Sequence, residues 1–342
     1  MRPRTRRRPG TRSSRASSRA RTGSGTSTPS RCTTDPSWPR LGTTRSISRC
    51  RARRAGSQRT GRTTSISVGR PDPDRGTSPR SAGAVQWDPA QYSLFGAERR
   101  RPFFDLVGQV GAVDPRRVVD LGCGPGTLTT TLAERWPGAT VLGIDSSPEM
   151  IAEAIGAHRQ GRVEFALGGA EDFSAAGVDV LVSNALLQWV PSHRELLARW
   201  AAELDPGGWL AFQVPANFGS PSHRLMRELA ESPRWRDRLG GVLRHDGPVA
   251  EPAEYLELLL GAGLRVAAWR TEYQHLLPGP DPVLEWVRGT GLRPVLDRLS
   301  AAETADFEAE YGARLRQAYP RGPFGTVFPF LRTFVVAEKP GA

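Results

Sequence analysis

VVDLGCGPGTLTT, residues 118–130, opens as a buried strand and then passes through three glycines at two-residue spacing. Leu128, Leu132 and Trp136 follow at four-residue intervals, the repeat of one helix face, and Pro137-Gly138 ends it. The unit is therefore strand, glycine turn, helix. Downstream, TVLGI (140–144) is a second short apolar run ending at Asp145, and Ser147 with Pro148 supplies an N-cap and a first helical position. Further strands are expected at 163–167, 178–183 and 209–214, the last after the turn Pro206-Gly207-Gly208. Strands alternating with helices require crossover connections. The expected fold is thus α/β, a doubly wound, mostly parallel sheet. After Pro215 the alternation lapses. Residues 216–261 and 282–318 read as helical cap insertions over the carboxyl edge of the sheet, where such folds bind ligands, and 266–270, 273–277 and 328–336 read as extended.

The first 84 residues differ in kind. They hold 21 Arg, 3 Asp, no Lys and no Glu, with 28 Ser and Thr and only Leu41, Ile47, Ile66 and Val68 as branched apolar residues. Such a segment cannot bury enough apolar surface to offset the entropy of ordering, so it is expected to be a disordered tail. With 46 Arg and one Lys in the chain, the habit of a GC-rich genome, a misassigned start is the first reading of this extension. A genuine extension, a targeting peptide and a nucleic-acid-binding arm are the others. Residues 85–342 carry 26 basic and 32 acidic groups, which disfavours a polyanionic partner, and nucleic acid is not expected as one. No apolar run reaches the ~18 residues of a membrane span. Three cysteines, two of them in the tail, give no disulfide framework and point to the cytoplasm. No metal site is expected.

Glycines at 122, 124 and 126 allow a tight turn and close backbone approach to a ligand. The dinucleotide spacing G-x-G-x-x-G is not met, because its last position falls on Thr127. Asp120 beside the loop would repel a pyrophosphate but favour a ligand carrying an ammonium and a sulfonium, as S-adenosylmethionine does. A carboxylate at Asp145, closing the second strand, can accept both hydroxyls of a ribose. The alternatives are a loop-bracing role for Asp120 and a helix cap for Asp145.

This pattern resembles the class I S-adenosylmethionine-dependent methyltransferases, whose first motif is an acidic residue followed by G-x-G-x-G. The resemblance implies that Asp120, Gly122, Cys123, Gly124 and Gly126 surround the methionine end of the cofactor and that Asp145, with Ser146 beside it, holds the ribose. It also implies that Ala170 and Glu171 of GGAEDF lie beside adenine and Asn184 near the methionine amine. Members of the family often carry Asp where this chain has Gly169, which leaves the adenine amine to Glu171, Asp172 or backbone. Cys123 reads as a small neutral filler. Arg101 is a candidate partner for the methionine carboxylate, with a solvated helix face as the alternative. Trp87 and Tyr92 are read as a lid or as aromatic core.

WDPAQY (87–92), ERRRPF (98–103), Asp145 with the SSPEMI that follows it (146–151), NALLQWVP (184–191), QVPANF (213–218), WRTEYQHL (269–276) and EWVRGTGLRPVL (285–296) are similar to the methyltransferases that act on trans-aconitate. That likeness covers nearly all of 85–342, the cap included, and implies methyl transfer to a carboxylate. A carboxylate is already ionised at neutral pH, so no general base is needed and no catalytic side chain is singled out. A polycarboxylate does need donors and cations. Arg293, Tyr273, His275, Asn217 and His223 are the candidates, with Gln188 and Trp189 closing the pocket. Another small polycarboxylate or natural-product acid, and less so a nucleic-acid base, stay open as substrates.

Overall fold

The computed structural model describes residues 96–341 except 159–161, 245, 246 and 248. The extension 1–84, together with Trp87 and Tyr92, lies outside the described residues. Five strands form the parallel part of the sheet: β1 (Arg117–Leu121), β2 (Thr140–Asp145), β3 (Val163–Leu167), β4 (Val180–Asn184) and β5 (Trp209–Pro215). Two long antiparallel strands complete it, β6 (Arg265–Leu277) and β8 (Gly325–Glu338), in the order β3-β2-β1-β4-β5-β8-β6. A two-residue strand, β7 (Arg321–Gly322), pairs with β8 as an eighth member.

The central strands are apolar runs because both their faces are covered. Val119, Leu121, Leu181 and Phe212 pack on one side with Leu197 and Trp200 of α4 (His193–Glu203) and Tyr255 and Leu259 of α7 (Pro252–Gly261). Val118, Val180, Val182 and Phe334 pack on the other with Phe103 and Leu106 of α1 (Gly96–Val107) and Leu132 of α2 (Thr129–Arg135). The start of α3 (Pro148–Ala157) follows the expected chemistry, since Ser147 Oγ accepts a hydrogen bond from the Met150 amide at 3.2 Å and Pro148 sits in the first turn.

The cap is built from α5 (Pro221–Ala230), α6 (Arg236–Leu239), α8 (Pro282–Arg288), α9 (Arg293–Leu296) and α10 (Ala301–Ala318). These helices bury their own cluster, including Met226, Trp286, Phe307 and Tyr311, against Phe328 and Phe330 of β8. Two expectations need correction. Residues 252–261 fall within the segment read as cap, yet α7 is a sheet-flanking helix: Tyr255 and Leu259 are fully buried in the sheet's own core. The two extended pieces expected at 266–270 and 273–277 are one strand, with Thr271 and Glu272 continuing the ladder opposite Arg332 and Leu331. Nothing in Arg270-Thr271-Glu272 breaks a strand.

No helix among the described residues is long and apolar enough to cross a membrane.

Candidate active site

The turn after β1 is strained in the way its glycines permit. Gly122, Gly124 and Gly126 all have positive φ, at 81°, 55° and 79°. The amides of Gly122 and Cys123 both donate to the Ile144 carbonyl, at 2.7 and 3.0 Å, which folds the turn onto the end of β2. A Cβ at Gly122 would lie 2.8 Å from Leu186 Cβ and one at Gly126 2.5 Å from the Phe165 ring, whereas one at Gly124 would meet nothing within 4 Å. The middle glycine therefore faces open space and the outer two are closed in by the protein.

Asp145 ties this turn to the next helix. One carboxylate oxygen accepts from the Gly124 amide at 2.9 Å and the other from the Ser147 amide at 2.9 Å. Each oxygen keeps a second lone pair, so a diol can still be accepted by both. Ser146 is exposed beside it. Asp120 is buried, with one oxygen accepting from the Thr129 hydroxyl at 2.7 Å and the other, Oδ1, lacking any hydrogen-bond partner. Burial, with the charge of Asp145 adding to it against the Thr129 bond, raises its pKa to about 6. The loop-bracing role is visible in the bond from Thr129, while the second oxygen makes no hydrogen bond. A buried acceptor without a donor is costly, and an ammonium group would satisfy it. The Cys123 thiol is buried and its pKa is pushed up by burial and by Asp120 and Asp145, consistent with an inert filler.

At the tip of β4, Ala185 has φ 58°, an unusual conformation for a residue with a Cβ, and follows Asn184 directly. Asn184 Oδ1 accepts from Gln213 Nε2 at 2.5 Å, and Gln213 Oε1 accepts from Arg332 Nη1 at 3.0 Å. Because Asp120 pairs with Val182, Asn184 with Gln213, Gln213 with Phe334 and Tyr273 with Phe330, these polar residues alternate onto one face of the sheet. They make a row beneath α1 running from Asp120 through Asn184, Gln213 and Arg332 to Tyr273 and His275. Arg332 is 4% exposed and its guanidinium stacks on Phe330 at 4.8 Å.

The candidate substrate residues are placed unevenly. Tyr273 donates its only proton to Asp105 of α1 at 2.7 Å, and the Arg101 guanidinium lies 5.3 Å over its ring while also pairing with Asp105 at 3.7 Å. The phenol thus offers a carboxylate no donor and anchors α1 instead; Arg101, largely exposed, serves the same anchor. His275 is sandwiched between the rings of Tyr273 and Trp286 with Nε2 buried and unpartnered, and burial with the nearby Arg332 and Arg101 charges lowers its pKa to about 4. It is neutral at pH 7. The Asn217 amide clamps the backbone of Leu331, accepting at 2.8 Å and donating at 2.9 Å, so its polar groups hold β8 against the end of β5.

Gln188 donates to the Ala185 carbonyl at 2.6 Å, leaving Oε1 buried without a partner, and Trp189 sits half-buried beside it in the turn Leu187–Trp189. Glu171 is exposed and accepts from Ser192 at 3.2 Å, while Ala170 is buried next to it. Arg293 opens the four-residue helix α9, half-buried. His223 lines a small cavity with Arg227 and Arg244. The sequence reading missed Arg332, Gln213, Arg227 and Arg244.

Residues 118–208 match the family model described as "Methyltransferase domain". The chain is 54% identical over 265 residues to a trans-aconitate 2-methyltransferase of Streptomyces avermitilis, covering 75% of this chain and 98% of that protein. It belongs to the trans-aconitate 2-methyltransferase family. A Streptomyces coelicolor relative of the same name is 53% identical, covering 76% of this chain and 88% of the relative, and one from Rhodococcus jostii is 51% identical, covering 74% and 99%. Membership in the trans-aconitate 2-methyltransferase family makes the chain a methyltransferase with S-adenosylmethionine as cofactor. The geometry fits that cofactor: an open cradle at Gly124, an unpartnered buried carboxylate oxygen on Asp120 and a diol acceptor at Asp145.

Proposed function

We propose that the chain esterifies a carboxylate of trans-aconitate, with residues 85–342 as the catalytic unit and the cytoplasm as its place of action. The observation that carries this reading is the identity of 51–54% along nearly the full length of relatives bearing that name. The cap, where substrate selectivity resides in such folds, is thereby included. The buried cation of the polar row, Arg332, adds chemical support, since a guanidinium out of water is suited to a carboxylate.

In this reading Asp120 takes the cofactor's ammonium, Asp145 the ribose hydroxyls, and Ala170 and Glu171 flank the adenine. Bound S-adenosylmethionine supplies a methyl group on a sulfonium, whose transfer to a carboxylate oxygen gives an ester and a neutral thioether. The protein's own task is to hold the carboxylate in place and exclude water, because a group with a pKa near 4 needs no deprotonation at neutral pH. Three of the described histidines agree with that division of labour: burial holds His223 and His275 at about 4 and lowers His193 as well. None of these three is an imidazolium at pH 7, and none is a strong base.

A methyl-transfer assay over a panel of di- and tricarboxylates tests the assignment, with trans-aconitate expected to give the highest kcat/KM. With both substrates saturating, kcat should stay level between about pH 6.5 and 8.5. A steep rise across that interval would mean an unrecognised base.

Asp120 gives a second test. Its folded pKa of about 6 lies above the ordinary 3.8, so between those values the fold retains a proton that the unfolded chain has lost, and this group's contribution to stability falls as pH rises. A ligand ammonium reverses the preference by stabilising the carboxylate. Affinity for S-adenosylmethionine should therefore weaken about tenfold from pH 7 to pH 5 by calorimetry, with proton release on binding near pH 6. Asp120→Asn should bind weakly and lose the pH dependence; retention of it would remove Asp120 from the ammonium site.

A further inference from the structure

A cavity of about 70 Å³ lies in the cap at the carboxyl edge of β4 and β5, lined by Phe218, His223, Arg227, Arg244 and Gly291 among others. No carboxylate is among its described lining residues. Other arginines of the cap are paired with Asp or Glu, for example Arg224 with Glu228 at 2.7 Å and Arg288 with Glu308 at 2.8 Å. Arg227 and Arg244 have no ion pair among the described residues. Arg227 donates to the Phe218 carbonyl at 2.8 Å with its guanidinium 3.9 Å from the centre of that ring, and Glu228, whose charge it feels, is taken by Arg224. Arg244 donates to the Gln188 carbonyl at 3.2 Å.

His223 completes the lining. Its Nδ1 lies 3.2 Å from Ser222 Oγ and 3.3 Å from Ser220 Oγ, while Nε2 is at the Gly291 side, where an added Cβ would approach it to 3.3 Å. Burial and the charge of Arg227 hold the ring neutral, with a pKa of about 4. In the tautomer whose Nδ1 accepts from Ser222 Oγ, Nε2 carries the proton and is a donor. Two guanidiniums and one imidazole N–H therefore converge where none of the described carboxylates answers their charge. The space these groups line has room for a carboxylate group.

We propose that this cavity is a carboxylate subsite and that, given the function proposed above, it holds a substrate carboxylate that is not methylated. Its position supports the second half. Arg244 bonds Gln188, and Gln188 bonds the Ala185 carbonyl next to Asn184, so two hydrogen bonds connect the subsite to the tip of β4. A substrate engaged there as well as at its reacting carboxylate is held at two points, which is how a tricarboxylate is told from an acid with fewer carboxyl groups. The same chemistry would suit a free small anion, and the test separates the two.

The experiment uses the full chain. Arg244→Gln, at an exposed position, should fold normally, and Arg227→Lys keeps the charge but loses the fork. Both are assayed with trans-aconitate and with a dicarboxylate lacking its third carboxyl group, alongside calorimetric titration of trans-aconitate into enzyme loaded with S-adenosylhomocysteine. Expected is a tenfold or greater rise in KM and Kd for trans-aconitate in Arg244→Gln and a smaller one in Arg227→Lys. The dicarboxylate should lose under threefold, and cofactor affinity, melting temperature and kcat should hold near wild type. Wild-type KM in both variants would overturn the proposal, as would an equal loss for both acids. Citrate or phosphate that protects the wild type thermally without competing with trans-aconitate would mark an independent anion site and overturn the substrate assignment. Wild-type enzyme that binds trans-aconitate in an Arg244-dependent way yet forms no ester would refute the proposed reaction and leave the subsite standing.

Discussion

Asp145→Ala is expected to weaken S-adenosylmethionine binding by about a hundredfold or more. The carboxylate stands at the end of β2 with each oxygen already fixed by a backbone amide, Gly124 on one side and Ser147 on the other. A ribose diol would therefore meet acceptors that cannot rotate away, so little side-chain entropy is lost on binding. Two charge-assisted hydrogen bonds at roughly 1.5–3 kcal/mol each set the scale of the loss. The substitution also frees the Gly124 amide, loosening the turn that faces the ligand. Asp145→Asn retains one acceptor oxygen and should fall between the two. Calorimetry with S-adenosylhomocysteine reads the effect without turnover. An Asp145→Ala protein with affinity within threefold of wild type would mean the ribose lies elsewhere.

What the sequence made visible follows from how local each signal is. The strand, glycine turn and helix at 117–135 are written in neighbouring residues, as is the Ser147 cap, and all appear where the pattern puts them. Substrate-side residues behave otherwise, because their meaning depends on partners far along the chain. Tyr273 looks like a free donor until Asp105, 168 residues away, is seen to take its proton. Asn217 looks like a ligand until its amide is found clamped on Leu331, 114 residues on. Arg293 drew attention as a cation in a family-like motif, whereas the cations that line the cap cavity are Arg227 and Arg244, each on an ordinary polar stretch. One missed residue did leave a trace. In FPFLRTFVV, residues 328–336, the inward positions 328, 330, 334 and 336 are apolar and 332 is Arg. A charge at an inward position of a strand of period two is the kind of inconsistency that marks a functional or strained site. Gln213 in WLAFQVP carries the same signal more faintly.

The glycine turn should divide into positions that hold the fold and one that holds the ligand. At Gly126, alanine combines a φ of 79° with a Cβ 2.5 Å from the Phe165 ring and 3.1 Å from Ala154. Left-handed strain costs about 1–2 kcal/mol, and overpacking a filled site adds about 1–3 kcal/mol. For a catalytic unit of this size each kcal/mol moves the melting temperature by roughly 2–4 °C, so Gly126→Ala should melt about 10 °C lower. Phe165 is the obstacle, and Phe165→Leu in the Gly126→Ala background should recover part of that loss. Gly124→Ala has a φ of 55° but no neighbour within 4 Å. Its melting temperature should fall only a few degrees, from backbone strain alone. Its added methyl, however, projects into the space opened for the cofactor, and affinity for S-adenosylmethionine should drop at least tenfold. Thermal melts and calorimetry on the two alanine variants therefore give opposite orderings. If both substitutions lower stability equally and leave affinity alike, the open side of Gly124 is not where the cofactor lies.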